Sequence, residues 1–521
     1  MKVFMKKRTI FSILQLASYI LLAASCANDN TTQSETQKEN ITPAGSVMFS
    51  GSPQPSTRTV ILNHTKSSGA VVNWSNSDRI WVQDDANTWR QSAAVTFLRP
   101  SDKSKGTFTL SGTYSGTTHS VVYTNKTISG TQPQVEIKSV QTQTAPNKFE
   151  HAGDCGDCGI ASATKFGSDY LFSLSHKASY LCFIPRSSNS YVNRSKLMKI
   201  EIISEDNIAG TYNIASDGTL TLASGGSKTI TLSTGSGFAL DNASDDMDKN
   251  ATYVVIAPGT HRLRIRYWLR NTVDNPDGTI DGTVTKYVTL ALAPGSIHDV
   301  TANLDPHDYS GDNCYMWDAQ QQYWHGYEWT HNIPTWQPTV RGMSSTFYAK
   351  NNSDNRWYHE HLVPGRFDAT QSCTIAPNAN EIAWYALNGD PRWDADELWT
   401  TMGHLYKGGT WFKKKANITG FSTEQAPDGI DWRTVDKSIT NNTLTSGIPS
   451  TSELSKYFYL PASGYYLNGK LLITGLAGLH WSSSGSPGSF NAAYTISFSD
   501  TGVSIYSTPA GHHGARVQAF E

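Results

Sequence analysis

The residues best suited to chemistry are cysteines at a short spacing. Cys155 and Cys158 are separated by two residues in Asp-Cys-Gly-Asp-Cys-Gly, a spacing typical of redox thiol pairs and of half a zinc site. A second Cys-x-x-Cys does not follow, and no thioredoxin-like βαβ pattern surrounds the first, so we favour a loop-closing disulfide. Cys314 and Cys373 could form a second bridge. Cys182 lies on a predicted core strand, where a buried thiol is ordinary.

Histidines and carboxylates after residue 305 offer a second kind of chemistry. His359 and His361 have the spacing that turns two imidazoles to one side of a strand, and Asp390, Asp394 and Asp396 follow. The set lacks a third ligand at a spacing typical of a zinc site, so we predict no metal site.

Enzyme motifs are missing from the sequence. It contains no nucleophile elbow, Walker loop, His-Glu-x-x-His or dinucleotide fingerprint. Carboxylates are plentiful, but spacing alone cannot identify a catalytic pair. We therefore predict a protein without catalytic residues or a cofactor. We expect His176, on a predicted strand, to be a core or sheet-face histidine.

Tryptophan and histidine are concentrated late in the chain, where eleven of the 15 Trp and nine of the 15 His follow residue 305. Most of these Trp must be core, because each buries a large area and this part has only about 216 residues. Some could form a loop surface that stacks on sugars or peptides. The candidate ligand-binding residues are Trp384, Trp393 and Trp481.

The N-terminus predicts export. Basic residues within Met1–Arg8 precede an apolar run that is too short to be a permanent membrane helix. The run ends Leu-Leu-Ala-Ala-Ser-Cys26, which resembles the lipobox of bacterial lipoproteins and implies a lipid anchor on Cys26. The alternative is ordinary cleavage after a small residue. Residues 26–45 are almost wholly polar and predict a disordered tether.

Composition limits the partners. A net charge of −2 argues against nucleic acid as a partner. Residues 46–305 show short alternating strands separated by turns such as Ser-Asp-Gly at 216–218, which favours one or two β-sandwiches. We predict strands there at 57–62, 79–82, 107–110, 120–123, 197–203, 219–222, 252–256, 263–268 and 287–292.

Residues 306–521 predict an α+β domain. Asn378 followed by Glu381 is a capping pair that opens a helix through Leu387. The run Asp-Ala-Asp-Glu at 394–397 predicts a second helix, and Ser450 with Glu453 predicts a third. Strands follow at 470–473, 493–498, 503–506 and 515–520.

Two resemblances follow from these motifs. In residues 46–305, Trp-Ser-Asn-Ser-Asp-Arg-Ile-Trp-Val (74–82), Phe172–Phe183 and Leu290–Asp305 resemble the fimbrillin-like subunits of lipoprotein-derived pili. This resemblance implies transthyretin-like β-sandwiches, proteolytic trimming after an Arg, and assembly with other pilin subunits by strand exchange. Arg58 is one candidate trimming site, although residues 57–62 are predicted to be a strand.

The second resemblance covers residues 306–521. Leu-Pro-Ala-Ser-Gly-Tyr-Tyr (460–466), His-Trp-Ser-Ser-Ser (480–484) and Gly-Ala-Arg-Val-Gln-Ala-Phe (514–520) look like a C-type-lectin-like module. The paired thiols of the related formylglycine-generating enzyme and the calcium-site triplets of sugar-binding lectins are absent from the sequence.

Together these features predict a mainly β lipoprotein of the outer membrane and cell surface, or of a fimbrium. We expect an adhesin, a tip or accessory pilus subunit, whose residues 306–521 fold alone and bind a glycan or protein receptor. The alternative is a surface glycan-binding lipoprotein that is independent of any pilus.

Overall fold

The computed structural model describes residues 46–53, 60–62, 64–68, 71–273, 278–360, 365–445 and 447–521. The predicted signal peptide, tether and Cys26 lie outside these residues, as do Arg58 and His361. The described residues are mainly β-strands, as the sequence predicts. No helix in these ranges is long and apolar enough to cross a membrane.

A first sandwich is built from strands within residues 46–176, although residues 134–158 of this stretch pack with the second sandwich. Its sheet has the order β5-β4-β7-β10-β11-β1-β6, and a bridge between Thr96 and Thr107 brings its two edges together around a core that includes Phe49, Trp74 and Tyr170. The elements of this part of the chain are β1 (Ser46–Pro53), β2 (Val60–Leu62), β3 (Val71–Asn73), β4 (Trp81–Gln83), β5 (Trp89–Gln91), β6 (Gly106–Ser111), β7 (Thr118–Tyr123), β8 (Gln134–Ile137), β9 (Val140–Thr142), α1 (Ala152–Cys155), β10 (Gly159–Phe166) and β11 (Asp169–His176).

A second sandwich follows, and β8 and β9 join it. Its elements are β12 (Ser179–Arg186), β13 (Lys196–Ser204), β14 (Ala209–Ile214), β15 (Leu220–Ser227), β16 (Thr229–Ala239), α2 (Met247–Asn250), β17 (Thr252–Ile256), β18 (Gly259–Asn271), β19 (Ile280–Leu292) and β20 (Ile297–Asn303), with a 3₁₀ turn at Val192–Arg194. Burial alternates along β18, the pattern of a strand with one face in a core. The predicted strands at 197–203, 252–256, 263–268 and 287–292 lie within these elements.

The C-terminal region has one longer helix and many strands. They are β21 (His307–Asp308), β22 (Cys314–Tyr315), α3 (Ala379–Asn388), β23 (Arg392–Thr401), β24 (His404–Lys413), β25 (Ile439–Asn441), β26 (Tyr457–Pro461), β27 (Tyr465–Leu467), β28 (Lys470–Leu472), β29 (Ala477–Gly485), β30 (Ala492–Ser499), β31 (Gly502–Pro509) and β32 (His513–Arg516). Short 3₁₀ turns occur at Trp329–His331, Ser372–Ile375, Lys415–Asn417 and Leu454–Lys456. The described part of this region is mainly β with one α-helix, so the α+β class and the C-type-lectin-like assignment stay predictions.

The first predicted helix is confirmed. The Asn378 side chain accepts from the backbone N–H of Glu381, and the Glu381 side chain accepts from the backbone N–H of Asn378, so both halves of the capping box are present at α3. The third predicted helix is reduced to the 3₁₀ turn Leu454–Lys456.

The second predicted helix is wrong, because residues 394–405 form part of the hairpin β23–β24. Met402 and Gly403 connect the two strands with φ values of 47° and 77°, and Thr401 pairs with His404. Two consecutive positive φ values are typical of the tight turn that suits a hairpin. Gly409 lies inside β24, where an added Cβ would be 2.5 Å from the Tyr459 ring.

One sheet crosses the predicted boundary at residue 306. Its main path runs β26-β24-β23-β19-β18-β13-β16-β9, so strands of the C-terminal region continue a sheet of the second sandwich. The crossing point is the parallel pair Thr283 with Glu397. The Glu397 carboxylate accepts from the hydroxyls of Thr283 (3.0 Å) and Thr285 (2.6 Å) and from the Thr285 backbone N–H (3.0 Å).

Candidate functional site

The strand β1 lies inside the first sheet, between β6 and β11. It pairs in parallel with β11 and antiparallel with β6, so both of its backbone edges are hydrogen-bonded. When a strand that is paired on both edges departs, the two facing strands are left with unpaired backbone groups that another strand can pair with.

Side chains fix the register of β1. Phe49 is fully buried, stacks on Tyr170 at a centroid distance of 4.7 Å and meets Tyr114 edge-on at 5.1 Å. Gly51 lies under Phe172, and an added Cβ would be 2.2 Å from that ring. A replacement strand therefore needs an aromatic or large apolar residue, then a glycine two positions later.

A groove of about 570 Å³ lies beside β1 and is lined by residues that include Gly51, Leu98, Leu171 and Phe172. Leu98 is 93% exposed and Leu171 is 47% exposed. Exposed apolar side chains grouped in a groove are typical of a surface that contacts another chain.

His176 is a core histidine, as predicted. Its Nδ1 is 2.7 Å from the Asp157 carboxylate, and both side chains are buried. The Tyr180 hydroxyl donates to the same carboxylate oxygen.

The three predicted ligand-binding tryptophans do not form one surface. Trp481 is fully buried, and its indole N–H donates to the Tyr315 carbonyl at 2.8 Å, so a surface role for Trp481 is wrong. Trp384 and Trp393 are half-buried at the edge of another core cluster. The Trp384 N–H is occupied by the Gln425 carbonyl at 2.8 Å.

An aromatic surface that the sequence did not predict lies in the loops after β22. We call Tyr327, His331, Trp336 and Phe347 the aromatic platform. Trp336 meets Tyr327 edge-on at 5.2 Å and His331 at 5.3 Å, while Phe347 stacks on Tyr327 at 5.1 Å. His331 and Phe347 are exposed, and Tyr327 and Trp336 are half-buried. Neighbouring aromatic faces of this kind suit stacking on sugars or peptides.

The cysteines of the described chain are free thiols, so neither predicted disulfide is formed. Cys373 and Cys314 pack against different core clusters, and the Cys373 sulfur accepts from the Asp318 backbone N–H at 3.1 Å. Burial raises the pKa of Cys155 to about 11 and that of Cys158 further, which holds both as inert thiols.

The described members of the histidine and aspartate set in the C-terminal region do not converge on one point, although Asp394 and Asp396 both pair with Arg266. His359 Nδ1 is 2.9 Å from the Asp318 carboxylate, Asp394 pairs with Arg266 at 3.0 Å, and Asp390 pairs with Arg392 at 2.8 Å.

A different set of metal-ligating groups converges between the sandwiches. A nitrogen of His64, the sulfur of Cys182 and a carboxylate oxygen of Asp299 all lie within 4.8 Å of one another. His64 and Cys182 are buried. Sequence reasoning missed this set because its members are more than 100 residues apart, and only the pairing of β12 with β20 brings Cys182 beside Asp299.

No family model and no curated protein matches the chain. Solved structures similar to it include a candidate cell adhesion protein from Bacteroides ovatus, with 15% identity and a TM-score of 0.32, covering 49% of this chain and 92% of that one. A fimbrial protein from Bacteroides ovatus has 11% identity and a TM-score of 0.24, covering 90% and 98%. The fimbrial anchor protein Mfa2 from Porphyromonas gingivalis has 11% identity and a TM-score of 0.21, covering 46% and 82%.

Proposed function

We propose that the chain is a cell-surface adhesin, a tip or accessory subunit of a lipoprotein-derived pilus, that joins its neighbour by accepting a strand in place of β1. The observation that carries this proposal is the position of β1 between β6 and β11. Lipid on Cys26 would hold the exported chain at the outer membrane before assembly.

The place of β1 suits an acceptor slot. Cleavage after Arg58 separates residues 46–58, and β1 with them, from the rest of the chain. Departure of β1 leaves the facing edges of β6 and β11 unpaired and uncovers the Phe49 site beside Tyr170. Unpaired backbone groups and an empty apolar site together favour a donated strand.

The segment 515–521 is poorly suited to being a donor. Ala515 is fully buried and Phe520 nearly so, and Phe520 packs edge-on against Tyr385 at 5.3 Å. The Glu521 carbonyl accepts from the Lys415 backbone N–H at 2.8 Å. Withdrawing this segment would open the core of the C-terminal region, which supports a subunit that receives a strand through β1 and presents the C-terminal region as a head.

The aromatic platform is the part of the head that we propose contacts a glycan or protein receptor. Its aromatic residues lie on loops. The Arg356 guanidinium packs over the Tyr327 ring, 4.8 Å from its centroid, and holds that ring in place. A rigid aromatic anchor loses little conformational entropy when a ligand binds.

The test is an Arg58→Ala variant expressed in the producing bacterium, with Arg262→Ala, an exposed arginine on β18, as the matched control. We expect wild type and Arg262→Ala in sheared filaments with a new N-terminus at Thr59, and Arg58→Ala retained on the membrane with β1 uncleaved. Labelling with a palmitate analogue, with Cys26→Ala as reference, checks the anchor. Arg58→Ala found in filaments at wild-type levels would contradict strand replacement. A wild-type chain dispersed over the membrane would favour the glycan-binding lipoprotein instead.

A further inference from the structure

The loop that follows β2 reaches across to the second sandwich. His64 Nε2 lies 2.8 Å from Asp299 Oδ1, and the Ser67 backbone N–H donates to Asp299 Oδ2 at 2.7 Å. The two oxygens of one carboxylate therefore have separate roles: Oδ2 is held by the backbone and Oδ1 faces the imidazole.

Cys182 completes the group from the neighbouring strand. Cys182 of β12 and Asp299 of β20 are direct partners in a parallel pair, which places their side chains next to each other. The Cys182 thiol contacts the Asp299 carboxylate and the hydroxyl of Tyr253. Three donors of different chemistry, from three distant segments, thus meet within 4.8 Å.

We infer that His64, Cys182 and Asp299 form a site for a divalent transition metal, with Zn²⁺ the ion that best fits an imidazole, a thiolate and a carboxylate. Zn²⁺ binds nitrogen and oxygen at about 2.0–2.2 Å and sulfur at about 2.3 Å, usually in a tetrahedron. Such bonds place donors about 3.3–3.7 Å apart. The His64–Asp299 pair therefore has to open by only about half an ångström.

Burial at this site is uneven in a way that suits ion entry. The side chains of His64 and Asp299 are 1% and 13% exposed, so the carboxylate edge is the side open to solvent. Three protein donors leave a fourth position for water or for the nearby Tyr253 hydroxyl. The Ser67 N–H acts on the carboxylate as an outer partner that orients a ligand.

A second buried pair in the same chain shows what a simple hydrogen-bonded arrangement looks like. His176 and Asp157 are 2.7 Å apart, and a Tyr180 hydroxyl supplies the third contact. At His64 the third group is a thiol, which is a weak hydrogen-bond donor but, once deprotonated, a strong zinc ligand. Binding of the ion would release the thiol proton to solvent.

A bound ion would therefore link the segment 64–68 to the second sandwich. An ion pair between Lys66 and Asp245 lies at the same junction. Because this segment follows Arg58, the metal link would hold the new N-terminal end against the second sandwich after trimming. That consequence rests on the proposed function, whereas metal binding itself does not.

The probe is Co²⁺ added to the purified, chelator-treated full chain, followed by Zn²⁺ competition. We expect one Co²⁺ per chain with a thiolate-to-metal charge-transfer band that Zn²⁺ abolishes. Cys182→Ser should remove the band, and His64→Gln should weaken Co²⁺ affinity at least about tenfold. The matched controls are Cys158→Ser and His176→Gln, which change a buried thiol and a buried histidine outside the group.

Outcomes are separable from folding defects. Melting curves without metal identify a variant that fails to fold, and His64→Gln, on a loop, is the variant that best preserves the core. A wild-type chain with no thiolate band, or a folded Cys182→Ser chain that keeps it, would overturn the site. Equal loss in Cys158→Ser would do the same.

Discussion

The first sandwich and the C-terminal region are joined to the second sandwich in different ways. The seven-stranded sheet of the first sandwich contacts the second core through side chains such as Trp81 and Val122. From the same stretch of chain, only β8 and β9 pair with strands of the second sandwich in the described residues. The C-terminal region instead extends a sheet of the second sandwich and places Leu398 and Leu405 in that core. The change in composition at residue 306 is therefore not a break in the hydrogen-bonded structure.

This difference predicts which parts of the molecule unfold together. Phe49→Ala should cost about 3–5 kcal/mol and Leu398→Ala about 2–5 kcal/mol, because both side chains are buried in close-packed cores. Hydrogen exchange followed by mass spectrometry should show Phe49→Ala loosening the seven strands of the first sheet (β1, β4–β7, β10 and β11) but not β8 and β9, which pair within the second sandwich. Leu398→Ala should loosen strands on both sides of residue 306.

The outcome of Leu398→Ala decides between the two views of the boundary. Exchange that accelerates only in residues 306–521 would mean that this region folds as a separate domain, as its composition predicts. Acceleration in β18 and β19 as well would mean that the shared sheet makes the two regions one cooperative unit.

A smaller effect is expected from Glu397, the residue at the crossing point, which should make the stability of the protein depend on pH. Burial, with a contribution from Asp394, raises the pKa of Glu397 from 4.5 to about 7. The unfolded chain therefore loses this proton first as pH rises, so the contribution of Glu397 to stability is full below about pH 4.5 and is lost as pH rises through about 7.

Glu397→Gln tests that sign. Glutamine resembles the protonated acid, so the difference in melting temperature between variant and wild type should grow in favour of the variant from pH 5 to pH 8. Glu150→Gln, an exposed glutamate of the first sandwich, is the control. A constant difference across this range would show that Glu397 titrates normally and that the crossing point is open to water.

A local sequence signal predicts the structure where no strand pairing competes with it, and fails where such pairing does. The capping box of Asn378 and Glu381 is contained in four residues, so it predicted the start of α3. The Asp-Ala-Asp-Glu run has a similar local pattern, but it lies in β23, which the Met402–Gly403 turn connects to β24 in a hairpin. The strand β26, some 60 residues later, pairs with β24 and extends the sheet. Tertiary pairing outweighed a helix signal there.

The candidate sites follow the same rule. Trp481 is a plausible surface residue by type, yet it is core because both faces of its strand, β29, are covered. The aromatic platform joins Tyr327 with Phe347 through loops whose course no periodicity encodes. His64, Cys182 and Asp299 meet only because of strand order.

The smallest effect on stability is expected at the aromatic platform, where we expect a substitution to impair receptor binding and not folding. Trp336 is half-buried on a loop and packs mainly on Tyr327 and His331. Trp336→Ala should therefore change the free energy of unfolding little, by about 0.5 kcal/mol. It should nevertheless reduce binding of the chain to receptor-bearing cells or a glycan array, because a stacking face is lost.

Trp384→Ala is the matched control, since Trp384 is also half-buried but lies at a core edge. Equal loss of binding in both variants, or none in Trp336→Ala, would mean that the platform is not the adhesive surface.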